Sequence, residues 1–347
     1  LNYGFYKPTK KWQQAMDAKG PRATLKEMMK IMSFWLDMGC DGFRVDMAGS
    51  LVKNDSDSLG TISLWQEVRA FLKKEYPEAA MISEWGEPDK SLKGGFHMDF
   101  LLQFGPSHYN DLFRCKKPYF SSKGKGTCKK FVKKYVENYE KTNRQGLMCI
   151  PSGNHDMVRL SKYIKGDELK IAFAFLLSMP GAPFIYYGDE IGMRYHEDLV
   201  SKEGGYERTG SRTPMQWDKS KNAGFSGAES EKLYLPIDED DDRPNVESAL
   251  KDPDSLLNEI KKLISVRMKH EALLNNAEID FINAGHYLCY ERYTDKERIT
   301  VIINPSGEES NIKLKQGKII YKVGKGASLK DGRCIVKGKS AVFVKTV

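Results

Sequence analysis

Residues 40–50 read CDGFRVDMAGS, and this stretch decides the fold class of the chain. Apolar residues alternate in it with Arg44 and Asp46, so one face is predicted to pack while the other presents an arginine and a carboxylate. The preceding residues, 24–39, space their apolar side chains as a helix does and end at a glycine. A helix, a tight turn and a strand that ends in an aspartate indicate an α/β barrel or a doubly wound sheet.

The helix-to-strand pattern recurs along the chain. We count five βα units, with strands near residues 43, 81, 98, 149 and 184. A closed barrel of this class has eight. The sequence therefore predicts the C-terminal part of a (β/α)8 TIM barrel, about strands 4 to 8, and the start of the chain looks cut into.

The period of the apolar residues changes from 3.6 to 2 at about residue 275. The segments beyond it are short, β-rich and separated by Asn, Gly, Ser and Pro. This pattern predicts a small all-β sandwich domain. The expected domains are a partial catalytic barrel at residues 1–274 and the C-terminal β-sandwich at residues 275–347.

Composition bounds the possible functions. Charged residues at 29% and hydrophobic residues at 40% are ordinary for a globular protein, and no run of about 18 apolar residues predicts a membrane span. The net charge of +8 is diffuse and lacks the basic stripe with aromatic residues that would indicate nucleic-acid binding. The six cysteines form no CxxC pair, so neither a zinc site nor a disulfide framework is indicated, and a reducing compartment such as the cytoplasm is favoured.

Three predicted strand ends carry a carboxylate: Asp46, Glu84 and Asp156. Barrel enzymes place their catalytic residues at the C-terminal ends of several strands. Two carboxyl groups at the anomeric centre of a sugar, one nucleophilic and one protonated, are what retaining glycoside hydrolysis requires. A third carboxylate could orient the sugar hydroxyls.

Several motifs resemble one family in the right order. GFRVD, ISEWGEP and SGNHD look like the second, third and fourth conserved segments of the α-amylase superfamily, glycoside hydrolase family 13. LNYG at the start resembles the segment that ends that family's inserted domain B. The later SRTPMQWD and NAGFS resemble its α-glucosidase, oligo-1,6-glucosidase and trehalose-synthase branch.

The resemblance implies a role for each motif residue. Asp46 matches the nucleophile, Glu84 the general acid/base, and Asp156 the carboxylate that grips the sugar at subsite −1. Arg44 matches the arginine that keeps the nucleophile ionised, and His155 matches a histidine that hydrogen-bonds the same sugar. The implied partner is an oligosaccharide substrate, an α-glucan, with no nucleic acid and no membrane.

Two departures from the family pattern qualify this assignment. The first conserved segment, D-x-x-x-N-H, is absent, and strands one to three are absent with it. If the 347 residues are the whole molecule, we expect marginal stability and no useful activity. After Asp46 the chain reads MAGS where calcium-dependent endo-amylases usually carry a Lys-His pair, so no metal and no cofactor are expected.

The remaining candidates have two interpretations each. Arg159 and Arg212 are candidates for substrate contact or for structural pairing. Asp189 and Glu190 are candidates for holding the barrel rim together, which is favoured, or for chemistry. Four tryptophans are candidate sugar-stacking platforms by residue type, although the second and third lie on predicted core faces of helices: Trp12, Trp35, Trp65 and Trp217.

The leading functional hypothesis is a retaining α-glycosidase that hydrolyses α-glucosidic bonds of maltooligosaccharides or related α-glucans. Met47 follows the predicted nucleophile where α-1,6-acting members of the branch typically carry Val, which favours short α-1,4-linked substrates. The alternatives are a trehalose-synthase-like enzyme or other transglycosidase, and a non-catalytic barrel scaffold. Retention of all three carboxylates argues against the scaffold.

Overall fold

The computed structural model describes residues 1–121, 127–200, 208–314 and 316–346. The chain divides into two compact units, Leu1–Gly105 with Tyr135–Cys149, and Pro106–Lys134 with Ile150–Val347. The domain boundary predicted between residues 274 and 275 stays a prediction.

The first unit contains four short strands, Gly42–Val45 (β1), Ala80–Ser83 (β2), Met98–Phe100 (β3) and Leu147–Cys149 (β4). They form one parallel sheet in the order β1-β2-β3-β4. Since the strands are parallel, their carboxyl ends lie at the same edge of the sheet. Val45 lies opposite Ser83 in the β1–β2 register, so the residues that follow them begin side by side.

Three helices belong wholly to the first unit: Lys19–Asp37 (α1), Leu59–Glu75 (α2) and Pro88–Lys93 (α3). A 3-10 turn covers Ala48–Ser50. Their apolar faces bury a core that includes Met32, Trp65 and Met81. Burial of Trp65 agrees with its predicted position on a core face.

The predicted core position of Trp35 is wrong. Its side chain is 47% exposed, and Ile31, Phe34 and Met38 on the same helix are also exposed. Trp35 is turned by roughly 60° around the helix from buried Met32, because three residues fall short of one full turn.

The helices of the remaining chain are Tyr109–Phe113 (α4), Lys129–Lys141 (α5), Asp167–Ser178 (α6), Val246–Lys251 (α7) and Leu256–Lys269 (α8). α5 runs across the division between the units. From Leu169 to Ser178 α6 is buried on nearly all sides, which fits its almost continuous apolar sequence. The side chain of Asn245 caps α7 by accepting from the Ser248 amide. Short 3-10 turns cover Leu160–Lys162, Asp189–Ile191, Thr209–Ser211, Lys221–Gly224, Ser230–Lys232 and Glu271–Leu273.

The fifth parallel strand predicted near residue 184 is reduced to a single parallel bridge between Pro151 and Phe184. The Ser152 amide donates to the Phe184 carbonyl at 2.9 Å. Two residues on, the Tyr186 amide donates to the side-chain hydroxyl of Ser152 instead of to a carbonyl. The Ser152 side chain thus takes the bond that would continue the ladder, and the pairing does not extend.

Eight antiparallel strands follow in the second unit: Glu278–Ala284 (β5), Leu288–Tyr293 (β6), Arg298–Asn304 (β7), Ser310–Lys313 (β8), Gly317–Gly324 (β9), Ala327–Lys330 (β10), Arg333–Val336 (β11) and Ser340–Thr346 (β12). They form a five-stranded sheet, β5-β6-β7-β12-β9, and a three-stranded sheet, β10-β11-β8. Ile302 and Val342 of one sheet and Ile312 and Cys334 of the other share one buried cluster. The predicted all-β character of this C-terminal part is confirmed. Across the described ranges, no helix is long and apolar enough to cross a membrane.

Candidate active site

Asp46 and Glu84 follow the last residues of two adjacent parallel strands, β1 and β2. The Glu84 amide donates to the Val45 carbonyl at 2.9 Å, and the Ala48 amide donates to the Glu84 carbonyl at 3.1 Å. These bonds continue the pairing of the two strands beyond their ends. Both carboxylates are therefore held at one edge of the sheet by backbone hydrogen bonds.

Arg44 links the two carboxylates with one guanidinium group. Its Nη1 lies 2.7 Å from Asp46 Oδ1, and its Nη2 lies 2.7 Å from Glu84 Oε1. The second oxygen of Glu84 accepts from the Met47 amide at 3.1 Å. Charge-assisted bonds of this length fix orientation as well as contributing energy.

The environments of the two acids differ sharply. The side chain of Glu84 is 10% exposed, whereas that of Asp46 is 73% exposed. A group that attacks a substrate must be reachable, and a group that exchanges a proton must be held still. The geometry suits Asp46 to the first task and Glu84 to the second.

The turn after Asp46 shapes this site. Met47 has φ 44, in the left-handed region that few non-glycine residues adopt, and this aims its amide at Glu84. Gly49 provides space for buried Trp85, since a Cβ at residue 49 would lie 2.5 Å from Trp85 Nε1. The chain on both sides of the acid pair is therefore closely packed.

A buried aspartate on β3 supports the segment that carries Glu84. Asp99 Oδ1 accepts from the Ser83 hydroxyl at 2.8 Å, the Trp85 amide at 3.1 Å and the Gly86 amide at 3.3 Å. Burial raises the pKa of Asp99 to about 6, against the lowering effect of these hydrogen bonds. Sequence analysis did not identify this residue. A single aspartate within the apolar strand sequence FHMDF was the available signal.

In the second unit, Asp156 forms ion pairs with two arginines and lies close to a histidine. Its Oδ1 lies 3.1 Å from Arg208 Nη1 and 2.9 Å from Arg212 Nη2, and its Oδ2 lies 3.3 Å from His155 Nε2. The Asp156 amide donates to Asn154 Oδ1 at 2.8 Å, which fixes the turn of the SGNHD motif. Arg212 also donates through Nε to the His155 carbonyl at 2.7 Å.

Arg208 was missed by sequence analysis, and Arg212 was left open between substrate contact and pairing. The two arginines flank the Thr209–Ser211 turn, which places both on the same side of Asp156. Their spacing of four residues was the signal that could have paired them.

Arg159 and Asp189 are buried within the second unit and pair there with each other, which favours a structural role for both. Arg159 Nη1 donates to the Tyr187 carbonyl at 2.7 Å and lies 3.5 Å from Asp189 Oδ1. Asp189 Oδ2 accepts from the Ser152 hydroxyl at 2.7 Å. Burial raises the pKa of Asp189, and the neighbouring arginine opposes that effect.

The predicted site residues thus fall into two groups. Arg44, Asp46 and Glu84 are in contact in the first unit, and His155 and Asp156 are in contact in the second. Among the residues that the structure describes, no group of His, Cys, Asp and Glu side chains is placed to hold a metal ion.

Most of the chain matches the model of one known protein family. The alpha-amylase catalytic domain matches residues 6–276, well over half of the chain. The chain therefore belongs to the alpha-amylase family.

Three proteins of similar sequence indicate the branch of the family to which the chain is related. Alpha-amylase 3 of Dictyoglomus thermophilum is 28% identical over 334 residues, which cover 92% of this chain and 61% of that protein. The trehalose synthase/amylase TreS of Mycolicibacterium smegmatis is 29% identical, with 72% and 48% covered. The oligo-1,6-glucosidase of Parageobacillus thermoglucosidasius is 27% identical, with 86% and 62% covered. The chain spans roughly half to two thirds of these relatives, and the predicted resemblance to this branch is confirmed.

Solved structures agree on the fold. Trehalulose synthase MutB from Pseudomonas mesoacidophila MX-45 superimposes with a TM-score of 0.78 over 97% of this chain and 70% of that one, at 19% identity. The predicted class, an α/β barrel fold with a C-terminal all-β domain, is confirmed at that level.

Proposed function

We propose that the chain is a retaining α-glycosidase acting on maltooligosaccharides or related α-glucans. The observation that carries this proposal is the single guanidinium of Arg44 that binds both Asp46 and Glu84 at 2.7 Å. Retaining glycosidases need two carboxyl groups about 5–5.5 Å apart. Two acids that contact the two ends of one guanidinium fit that requirement.

Asp46 is assigned as the nucleophile and Glu84 as the general acid/base. In the first step Asp46 forms a bond to the anomeric carbon while Glu84 donates its proton to the departing glycosidic oxygen. In the second step the Glu84 carboxylate takes a proton from water, which attacks the anomeric carbon and frees Asp46. His155 and Asp156 take no part in these bond changes and are assigned to hold the sugar hydroxyls.

Arg44 suits both steps because it contacts both acids. Before reaction, negative charge resides on Asp46 and the proton on Glu84. In the covalent intermediate, Asp46 is a neutral ester and Glu84 carries the charge. The guanidinium faces one full carboxylate charge at each stage, so electrostatic stabilisation persists along the path without rearrangement.

The finer fold assignment is also a proposal. We assign β1 to β4 and the bridged segment at Phe184 to about strands 4 to 8 of the family's eight-stranded barrel. The parallel order of β1 to β4 and the bridge support this. The domain limits 1–274 and 275–347 are proposed with it.

The proposed linkage preference is α-1,4. Met47, the residue next to the proposed nucleophile, is 60% exposed, so its side chain is available to a substrate. Rates on maltose and isomaltose measured side by side test the preference, and faster turnover of isomaltose would overturn it.

The experiment for the reaction itself is proton NMR of maltose turnover. The glucose freed from the reducing end carries the anomeric mixture of maltose itself, so the readout is the early excess over that mixture. An early excess of α-glucose is expected from a retaining enzyme, and an early excess of β-glucose would contradict the mechanism. The relative TreS supports one second candidate, a trehalose-forming transglycosidase with the same carboxylates. Accumulation of trehalose in place of glucose in the same spectra would favour it.

A further inference from the structure

A segment of the second unit, residues 116–134, carries eight lysines and no aspartate or glutamate. Lys123 and Lys125 lie outside the described residues, and Lys134 is partly buried. The other five are exposed: Lys116, Lys117, Lys129, Lys130 and Lys133. None of these five forms an ion pair with an acid that the structure describes. The segment therefore presents a surface of one sign.

Burial of the neighbouring apolar residues turns these lysines outward. On α5, Phe131 and Val132 are buried, so the exposed lysines of this helix lie on its opposite side. Tyr119 and Cys128 are buried neighbours, which brings Lys117 close to the start of α5. The five exposed lysines thus come from two adjoining stretches of the same unit and form one lysine surface.

The lysines lie where they oppose the stability of α5. The N-terminal end of a helix carries partial positive charge and favours acidic residues, but the first turn of α5 has none and begins with Lys129 and Lys130. Lys129 and Lys133 are four residues apart, a spacing at which like charges on a helix repel each other. Departures from such local preferences are expected at functional sites. An anionic partner would relieve both unfavourable interactions.

We propose that the lysine surface binds an anionic lipid surface. Clusters of roughly four to eight basic residues on an amphipathic helix attract anionic headgroups. Lysine is a point charge without the fixed fork of arginine, so ammonium groups spread over two stretches suit many headgroups better than one bound phosphate. Binding by charge alone is peripheral and reversible.

The composition of the segment favours lipid over nucleic acid. Residues 116–134 contain no arginine, and the rings of Tyr119 and Phe120 are buried. The segment therefore offers neither the bidentate phosphate contacts nor the stacking rings typical of nucleic-acid sites. Lipid binding does not depend on the glycosidase function proposed above. It departs from the expectation, drawn from the family resemblance, that no membrane is involved.

Co-sedimentation of the full chain with lipid vesicles tests the lysine surface. Phosphatidylcholine vesicles with about 30% phosphatidylserine should bind the protein, and vesicles of phosphatidylcholine alone should not. Raising the salt concentration from about 50 mM to about 300 mM should release the protein, because salt screens the attraction. Replacing all five lysines by glutamine should weaken binding by about 30-fold or more, since each lysine near an anionic surface contributes about fivefold. The variant combines Lys116→Gln, Lys117→Gln, Lys129→Gln, Lys130→Gln and Lys133→Gln.

A matched control removes the same charge from dispersed positions. It replaces five other exposed lysines by glutamine: Lys11, Lys26, Lys73, Lys261 and Lys318. Its affinity for the anionic vesicles should stay within a factor of about three of wild type, because charges further away than a Debye length are screened. Equal loss of affinity in the two variants would show attraction by net charge alone and would overturn the proposal.

Three further results would overturn the proposal. The first is failure of the wild-type protein to bind anionic vesicles. The second is release from them by millimolar inorganic phosphate at constant ionic strength, which would indicate a small-anion site. The third is tighter binding to a short DNA duplex at equal phosphate concentration, which would assign the surface to nucleic acid.

Thermal melts check that the variant with five replacements is folded, and its melting temperature should not fall, because the substitutions remove repulsion between like charges. If this variant does not fold, Lys129→Gln, Lys130→Gln and Lys133→Gln are combined without the other two. That variant is compared with three of the dispersed replacements, and equal vesicle affinity of the two overturns the proposal.

Discussion

Arg44 Nη2, on β1, lies 2.7 Å from Oε1 of Glu84, the residue that follows the adjacent parallel strand β2. The same side chain reaches Asp46 with its other terminal nitrogen. The alternation of β1 places Arg44 and Asp46 on one face, and the register of β1 with β2 brings Glu84 beside them. The proposed catalytic pair is thus produced by strand geometry and then fixed by one arginine.

Arg44→Lys is expected to lower kcat on maltose about 100-fold with little change in KM. A lysine ammonium is a single point charge and cannot bridge two carboxylates as a planar guanidinium does. KM should hold because Arg44 contacts the reacting carboxylates and not the sugar. Steady-state kinetics measure both constants.

Arg22→Lys is the control for that substitution. Arg22 also binds a carboxylate with both terminal nitrogens, that of Glu67, but on the exposed surface. Its replacement should leave kcat unchanged. A kcat for Arg44→Lys within a factor of three of wild type would remove Arg44 from the mechanism.

Asp46→Asn is expected to reduce kcat by about 1,000-fold or more, because an amide cannot form the covalent intermediate. The side chain is largely exposed, so the melting temperature should move little. Kinetics with an activated α-glucoside and a thermal melt give the two readouts. Asp57→Asn, an exposed aspartate outside the acid pair, should retain full activity.

The acid pair could be predicted from sequence because both residues follow short apolar strands, and strand ends meet at one edge of a parallel sheet. Asp99 could not be identified in the same way. Its partners are Ser83, Trp85 and Gly86 on the neighbouring segment, and a single sequence does not show which strand lies alongside β3.

Two errors have a similar tertiary origin. Trp35 follows Met32 at a spacing that would put both on one face of α1. The buried face of α1 is narrower than the apolar pattern predicted, however, and it includes Met32 but not Trp35. The strand at Phe184 fails to extend because the Ser152 side chain takes the hydrogen bond that a strand would give to the backbone. Local patterns predict elements well, but competition among side chains decides how far they extend.

Asp99 predicts a dependence of stability on pH. Its pKa is raised from 3.8 to about 6 by burial, so between about pH 4 and pH 6 the folded protein holds a proton that the unfolded chain has lost. Its contribution to the free energy of unfolding therefore decreases as pH rises through this window, by roughly 2–3 kcal/mol, and is constant above it.

Asp99→Asn should remove this dependence while keeping an oxygen acceptor for the three hydrogen bonds. Urea unfolding followed by circular dichroism at pH 4, 5, 6 and 7 measures it. The difference in unfolding free energy between Asp99→Asn and wild type should grow in favour of the variant as pH rises. Asp57→Asn should follow wild type, and parallel pH curves for all three proteins would contradict the prediction.

Glu297 predicts the opposite dependence in a separate pH window. Burial alone would raise its pKa, but Lys345 Nζ at 2.8 Å, His270 Nδ1 at 2.7 Å and the Ala272 amide at 3.0 Å outweigh burial and lower the pKa to about 2. The unfolded chain binds the proton near pH 4.5. This stabilisation is therefore complete above pH 4.5 and is lost as pH falls towards 2.

Glu297→Gln should cost roughly 2–3 kcal/mol of unfolding free energy at pH 7, since it leaves Lys345 and His270 without their shared carboxylate. Because Glu297 joins the end of α8 and the turn after it to β7 and β12, the loss should appear in the stability of the second unit. Urea unfolding at pH 7 and pH 3 measures it, with exposed Glu309→Gln as the control. The difference between the variant and wild type should be smaller at pH 3 than at pH 7, and it should approach zero only as pH falls towards 2, where Glu297 of folded wild type also becomes protonated. An equal difference at both pH values would show that the carboxylate charge is not what stabilises this junction.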